Sequence, residues 1–396
     1  MNETANINSN AIQVTTPAKQ KEIGFYNLPT STGSNLIYDV LEAGKNVADL
    51  PNRKKTINRN TIYTVKKNGK GRQISLKNRS GTEEAQVQLA DIEKLIGTNK
   101  AAKMLFTLSM IKANEQAVFN GELTKDYISF PLQELVDIGL YKTIRSARRG
   151  FENGMDLLTG IKIKGKSQKS KKVGIQTDND FKLRVMFTGA DITGGECKIL
   201  LNPYINWGYF TQYFTILPRY YFSLSNRASN LLLYIFYLAR QNVRAIEERA
   251  SQNGGKGYFT ISFRSLQQKL QLPSEKGNKD PKKTIKDVIE NTVSEIEEKH
   301  KETYGCGGFY LEPTYSDKAP ISEYLDNGYL KVILEGAFSS MFVAISKETE
   351  RQIKEYQARQ KKIQDNAITQ AIAKKKEKEM EAEAKPKALL PAPQEA

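Results

Sequence analysis

One order of elements runs through this chain twice. It consists of a long apolar-periodic helix, a short strand, a short helix, a second long helix, and then strand-forming segments. In the first copy, Leu89, Ile92, Leu95, Ile96, Met104, Leu105, Leu108 and Ile111 recur at helical spacing and predict a helix over 87–117. Tyr127-Ile128-Ser129-Phe130 reads as a strand. Pro131 then opens a helix over 132–138, since proline is tolerated in a first turn. Gly139-Leu140-Tyr141 is a tight turn, and a further helix is predicted over 143–158. Strands at 160–164, 181–187 and 197–201 would form a wing. The second copy predicts one helix over 225–250, a strand at 259–262, a helix at 264–270, a helix at 282–300, and wing strands at 305–313 and 328–334. Two helices separated by a tight turn let one lie in a DNA groove while the other braces it. The expected class is α+β: two tandem winged-helix-like domains with a basic N-terminal β-hairpin and a charged helical C-terminal tail.

The boundaries follow from shifts in composition. Residues 1–50 are polar and read as a weakly ordered arm, with one short helix at 36–41. Residues 51–82 form a basic hairpin. Thr61–Val65 and Gln73–Leu76 alternate as strands around the turn Asn68-Gly69-Lys70-Gly71. The stretch 51–79 holds ten Lys or Arg and no acid, which points to a polyanionic partner. The first winged-helix-like domain spans 83–203 and the second 204–345. Residues 346–396 read as a charged, thinly apolar helix fraying into a Pro- and Ala-rich disordered end.

Several function classes are disfavoured. The longest apolar run, Leu231–Ala239, is far too short to span a bilayer, and 1–20 has no apolar core for a signal peptide. Two cysteines, Cys197 and Cys306, make neither a disulfide framework nor a metal-binding pair, so a reducing cytoplasm is expected. His300 is the single histidine, which removes His-rich metal sites and nucleases that need a His-hydrophobic-His pair. It lies in Glu297-Glu298-Lys299-His300-Lys301, where a solvent-facing ring at a helix C-terminus is expected. Gly160-Ile161-Lys162-Ile163-Lys164-Gly165-Lys166-Ser167 matches the phosphate-loop spacing, but a helix precedes it and its interior alternates like a strand. Asp178, Asp180 and Asp191 read as acidic turn residues. No cofactor, no metal and no catalytic activity are expected.

The net charge of +16 gains meaning from its clustering. Over 141–172, ten bases (Lys142, Arg145, Arg148, Arg149, Lys162, Lys164, Lys166, Lys169, Lys171 and Lys172) face two acids, Glu152 and Asp156. Arg145, Arg148 and Arg149 share one helix flank by their three- and four-residue spacing. They are candidates to grip phosphates or read guanine edges. In the second copy, Lys276, Lys279, Lys282, Lys283 and Lys286 flank a helix start, a natural phosphate anchor. The rest of that helix is acidic.

Three stretches resemble the theta-type plasmid replication initiators with tandem winged-helix domains. They are Phe130-Pro131-Leu132-Gln133-Glu134-Leu135 through Leu158-Thr159-Gly160-Ile161, Phe210–Phe214 through Ser225–Tyr234, and Ile289–Ile296. The likeness covers about 83–336, and the basic hairpin and long tail depart from it. It implies binding to double-stranded DNA at repeated origin sites, recruitment of host proteins such as the replicative helicase, and a possible homodimer. A winged-helix transcriptional regulator is the alternative.

Overall fold

The structure is a computed structural model. It describes residues 24–30, 36–38, 40–41, 55–58, 61–68, 71–78, 84–89, 92–119, 122–164, 184–205, 207–210, 213–270, 272, 280–305, 308–316 and 320–384. Helix and sheet are mixed throughout.

The first half is organised around α1 (Ile92–Gln116), which is buried on every side along 102–111. A helix buried on every side lies inside a fold rather than on it, and its polar Lys103, Thr107 and Ser109 are buried with the rest. Its neighbours are the strand β8 (Tyr127–Pro131), the short helix α2 (Glu134–Asp137) and the helix α3 (Ile144–Thr159). α3 buries Ala147, Phe151, Gly154, Met155 and Leu158. A Cβ at Gly154 would stand 2.5 Å from Leu105 Cδ1, so glycine permits this close approach of α1 and α3. β8 pairs with β12 (Glu196–Leu201), which pairs with β11 (Phe187–Thr193), all antiparallel.

The wing strands do not group as the sequence indicates. Of the three segments expected to pair together, Ile161–Lys164 (β9) and the Arg184–Val185 part of 181–187 pair with one another, while 197–201 lies with β11 in a different sheet. The sheet of β9 has six strands in the order β10-β9-β5-β4-β3-β2, where β2 is Lys55–Asn58, β3 Thr61–Asn68, β4 Gly71–Asn78, β5 Glu84–Leu89 and β10 Arg184–Val185. The helix predicted from residue 87 therefore starts at Ile92, and the residues before it form β5. Val87 and Leu89 satisfy helical spacing with the residues after them, but they gain more by pairing with β9 and β4.

The second half packs α5 (Asn226–Gln241), α6 (Val243–Gln252), α7 (Phe263–Lys269) and α8 (Pro281–Tyr304) against the sheet β14-β16-β15. These strands are Lys256–Ser262, Tyr329–Glu335 and Phe309–Thr314. The single helix expected over 225–250 is broken at Asn242, whose side chain donates to Leu238 O at 2.8 Å. Ser225 caps α5, and its hydroxyl in turn donates to Glu295 of α8 at 2.6 Å. α9 (Ile321–Asn327) is tied to α7 by the two-pronged Arg264–Asp326 pair at 2.8 and 3.0 Å. α10 (Gly336–Ala384) buries Phe338, Phe342 and Ile345, and its described side chains beyond Glu350 are exposed.

Two expectations are corrected by long-range packing. The arm at 1–50 is not uniformly loose: β1 (Phe25–Thr30) pairs antiparallel with β13 (Tyr213–Pro218), and 36–38 and 40–41 are helical and buried. Gly24 O accepts from Arg219 N and from Tyr304 Oη, both at 2.8 Å, while Tyr38 Oη meets Thr107 Oγ1 at 2.9 Å. The arm thus joins the second half to α1 of the first. His300 is not solvent-facing. Its ring is 2% exposed among Tyr304, Phe309 and Phe338, with Tyr220 Oη 3.3 Å from Nδ1. Burial pushes its pKa down to about 4.

A second link between the halves is Lys103 on α1, 1% exposed. Its ammonium donates to Asn226 Oδ1 at 2.8 Å, Ser229 Oγ at 3.2 Å and Asn230 Oδ1, all on α5. A buried ammonium held by oriented amide and hydroxyl oxygens fixes the two helices in one relative placement.

Candidate nucleic-acid interface

Among the described residues, a basic surface is built on the start of α3. Thr143 caps the helix: its hydroxyl accepts from Ser146 N at 3.2 Å, and Ser146 Oγ accepts from Thr143 N at 3.1 Å. This reciprocal cap satisfies two otherwise orphaned amides and fixes where the helix begins. The next turns present Arg145, Arg148 and Arg149 to solvent, with Lys142 exposed just before the cap. The opposite flank is the one buried against α1, so the arginines stand on an immobilised scaffold. Acids appear only farther along, at Glu152 and Asp156, so positive potential concentrates in the N-terminal half. A groove of about 470 Å³ runs between α3 and β11, lined by Arg148, Glu152, Asp156 and Asp191 among others. Hydrogen bonds from Thr193 and from Ile192 N hold the Asp191 carboxyl below its usual range.

β9 leaves α3 through Gly160 alone. Ile161 and Ile163 are buried, while Lys162 and Lys164 are exposed. Arg145, Arg148 and Arg149 thus lie at the start of α3, with Lys142 just before its cap, while Lys162 and Lys164 lie on the strand that leaves its other end. The middle of the phosphate-loop lookalike is this strand, with its backbone paired to β5 and β10. A strand so paired has no free run of amides to cradle a phosphate. Lys166, Lys169, Lys171 and Lys172 lie outside the described residues, as do Lys276 and Lys279.

The second-copy lysines are differently placed. α8 begins at Pro281 behind the cap Asp280, whose carboxylate accepts from Lys283 N at 3.0 Å. Lys283 is exposed. Lys282 is half-buried, its ammonium 5.8 Å from the Tyr324 ring centre. Lys286 sits 5.4 Å from the Tyr315 ring and 3.9 Å from Glu290. Aromatic and acidic neighbours already satisfy part of these charges, so this surface is the weaker of the two.

Sequence reasoning missed two features beside β9. One is the coupling of the basic hairpin to β9, which no local signal announces. The other is the pair Arg184–Tyr204, with the guanidinium 5.0 Å from a ring that is 73% exposed. Among the described residues there is no cluster of three or more His, Cys, Asp or Glu able to hold a metal, and no helix long and apolar enough to cross a membrane. Cys197 is buried, and burial pushes its thiol up to about 12.

No protein-family model and no curated protein matches the chain. Among solved structures, it is similar to the Pi initiator protein in complex with iteron DNA, at 16% identity and a TM-score of 0.39, over 61% of this chain and 92% of that one. It is also similar to domains 2–3 of RctB, at 8% identity and a TM-score of 0.33, over 73% of this chain and 95% of that one.

Proposed function

We propose that this chain is a sequence-specific duplex-DNA-binding replication initiator of a plasmid or related mobile element. It works through two tandem winged-helix-like domains and binds repeated origin sites. It recruits host replication proteins such as the replicative helicase, acts in the cytoplasm, and catalyses nothing itself. The observation that carries the DNA reading is the capped start of α3, which shows three arginines and a lysine to solvent while its opposite flank is locked on α1. A rigid helix with its cationic residues in the first turns is the geometry for entering a major groove end-first. Lys162 and Lys164 are exposed on the strand that leaves the other end of α3, where they are candidates for sugar-phosphate contacts.

The replication role draws on the resemblance of residues 83–336 to tandem winged-helix plasmid initiators. It is tested by asking whether this gene with its flanking DNA sustains a plasmid in a host that cannot otherwise replicate it. Maintenance by the wild type, lost on changing Arg145, Arg148 and Arg149 to alanine, supports the reading. DNA binding at a promoter operator with no plasmid maintenance favours a transcriptional regulator.

A further inference from the structure

The groove between α3 and β11 is not accounted for by the basic surface. Its helix wall is Arg148, Phe151, Glu152, Met155, Asp156 and Thr159. Steps of three and four residues keep these on one face of the helix over about three turns. Its strand wall is Thr188–Ile192, a run of consecutive residues. Side chains of a strand point alternately to opposite faces of a sheet, so consecutive residues line one groove only along the strand's edge. β11 is such an edge: the sheet order is β11-β12-β8, and β11 pairs with β12 alone. The groove is therefore elongated, with a helix face along one side and about 13 Å of strand edge along the other.

Both walls are held in place. The buried flank of α3 fixes it on α1, and the β11–β12 hairpin is pinned at its turn, where Leu132 N donates to Gly195 O at 2.8 Å. A preformed groove costs little ordering when it is filled. Ile192 N donates to Asp191 Oδ1 at 2.8 Å, so one amide of β11 is held by a side-chain oxygen. No side chain among the described residues guards Ala190 in this way. The charge of the groove runs against that of the chain. The chain carries +16, yet Glu152, Asp156 and Asp191 outnumber Arg148 here. Glu152 and Asp156 are exposed and make no ion pair among the described residues. Carboxylates so placed repel a phosphate backbone and attract ammonium or guanidinium groups.

We infer that this groove binds an extended, basic segment of another protein, which adds along β11 as a further strand and sets Lys or Arg side chains against Glu152 and Asp156. Main-chain pairing with β11 supplies affinity, and the carboxylates select basic residues. The inference goes beyond the DNA-binding reading and does not depend on it, since neither carboxylate belongs to the basic surface at the start of α3.

The test uses the full chain and a short fluorescein-labelled peptide of alternating lysine and valine, with binding read by anisotropy at one salt concentration. A control peptide of the same sequence carries a methyl group on every backbone nitrogen, which keeps the charge and removes every backbone donor. The unmethylated peptide is expected to bind the wild type, and the methylated one about tenfold more weakly. Glu152→Lys combined with Asp156→Lys is expected to weaken the unmethylated peptide about tenfold. Should that variant fail to fold, Glu152→Gln with Asp156→Asn carries the test, with an expected loss of about threefold. No binding of the unmethylated peptide, or equal binding of the two peptides, overturns strand addition. Wild-type affinity in a folded carboxylate variant overturns the groove as the site. Self-association of the chain alone, abolished by the carboxylate changes, makes the occupant a second copy and overturns the assignment to another protein.

Discussion

Arg148 and Arg149 are adjacent on α3, but only Arg148 borders the groove against β11. Arg149 is exposed clear of it. Arg149→Ala is expected to cost about 1–3 kcal/mol on the cognate repeat and less on scrambled DNA, because a guanidinium bidentate to guanine discriminates between bases. Quantitative gel-shift titration checks this, and an equal loss on both DNAs marks Arg149 as a phosphate contact instead. His300 makes a prediction about pH. Its Nε2 has no hydrogen-bond partner among the described residues, and burial lowers its pKa from 6.5 to about 4. The unfolded chain thus takes up a proton before the folded one does. The stability due to the neutral ring is complete above pH 6.5, falls as pH drops toward 4, and then levels off. The full effect is roughly 3 kcal/mol. Urea unfolding of wild type and His300→Phe across this window measures it, and a parallel pH dependence in both proteins would rule the histidine out as the cause.

At the scale of elements, α1 and α5 are joined by the buried Lys103 ammonium. Asn230→Ala removes one of its oxygen partners and leaves a buried cation less well satisfied, for an expected loss of about 2 kcal/mol in unfolding free energy. Unchanged denaturant midpoints would show that the contact contributes little. How far such elements could be read from sequence depended on whether their cause was local. The alternation Ile161-Lys162-Ile163-Lys164, the cap at Thr143 and the apolar stripe of α8 are local patterns, and each marks an element the structure contains. β5 was hidden because Val87 and Leu89 also fit the period of α1, and only its distant partner β9 makes it a strand. The break at Asn242 carries no glycine or proline to announce it. His300 is buried by Phe338, Phe309 and Tyr220, all far from it in sequence or brought near by a fold its charged neighbours do not foretell. The exposed arginines of α3 were legible for the opposite reason: three- and four-residue spacing against a buried apolar flank is enough to place them.

For the whole molecule, the N-terminal strand β1 and Lys103 make two independent ties between the halves, so the surfaces on α3 and α8 hold a defined relation to one another. A protein of net charge +16 that meets DNA through such surfaces owes much of its affinity to released counterions. With about six phosphates contacted, affinity should fall roughly a thousandfold between low and moderate salt, and flat binding across a salt titration would contradict the electrostatic part of the account. If the start of α3 reads DNA, its arginines supply both affinity and preference for the repeat. The most direct measurement is the affinity of wild type and of the Arg145→Ala, Arg148→Ala, Arg149→Ala variant for the origin repeat and for scrambled duplex at one salt concentration. The wild type is expected to prefer the repeat, and the variant to bind both weakly with that preference gone. A variant that keeps wild-type affinity for both would contradict it, and would assign the contact to the Lys282–Lys286 surface.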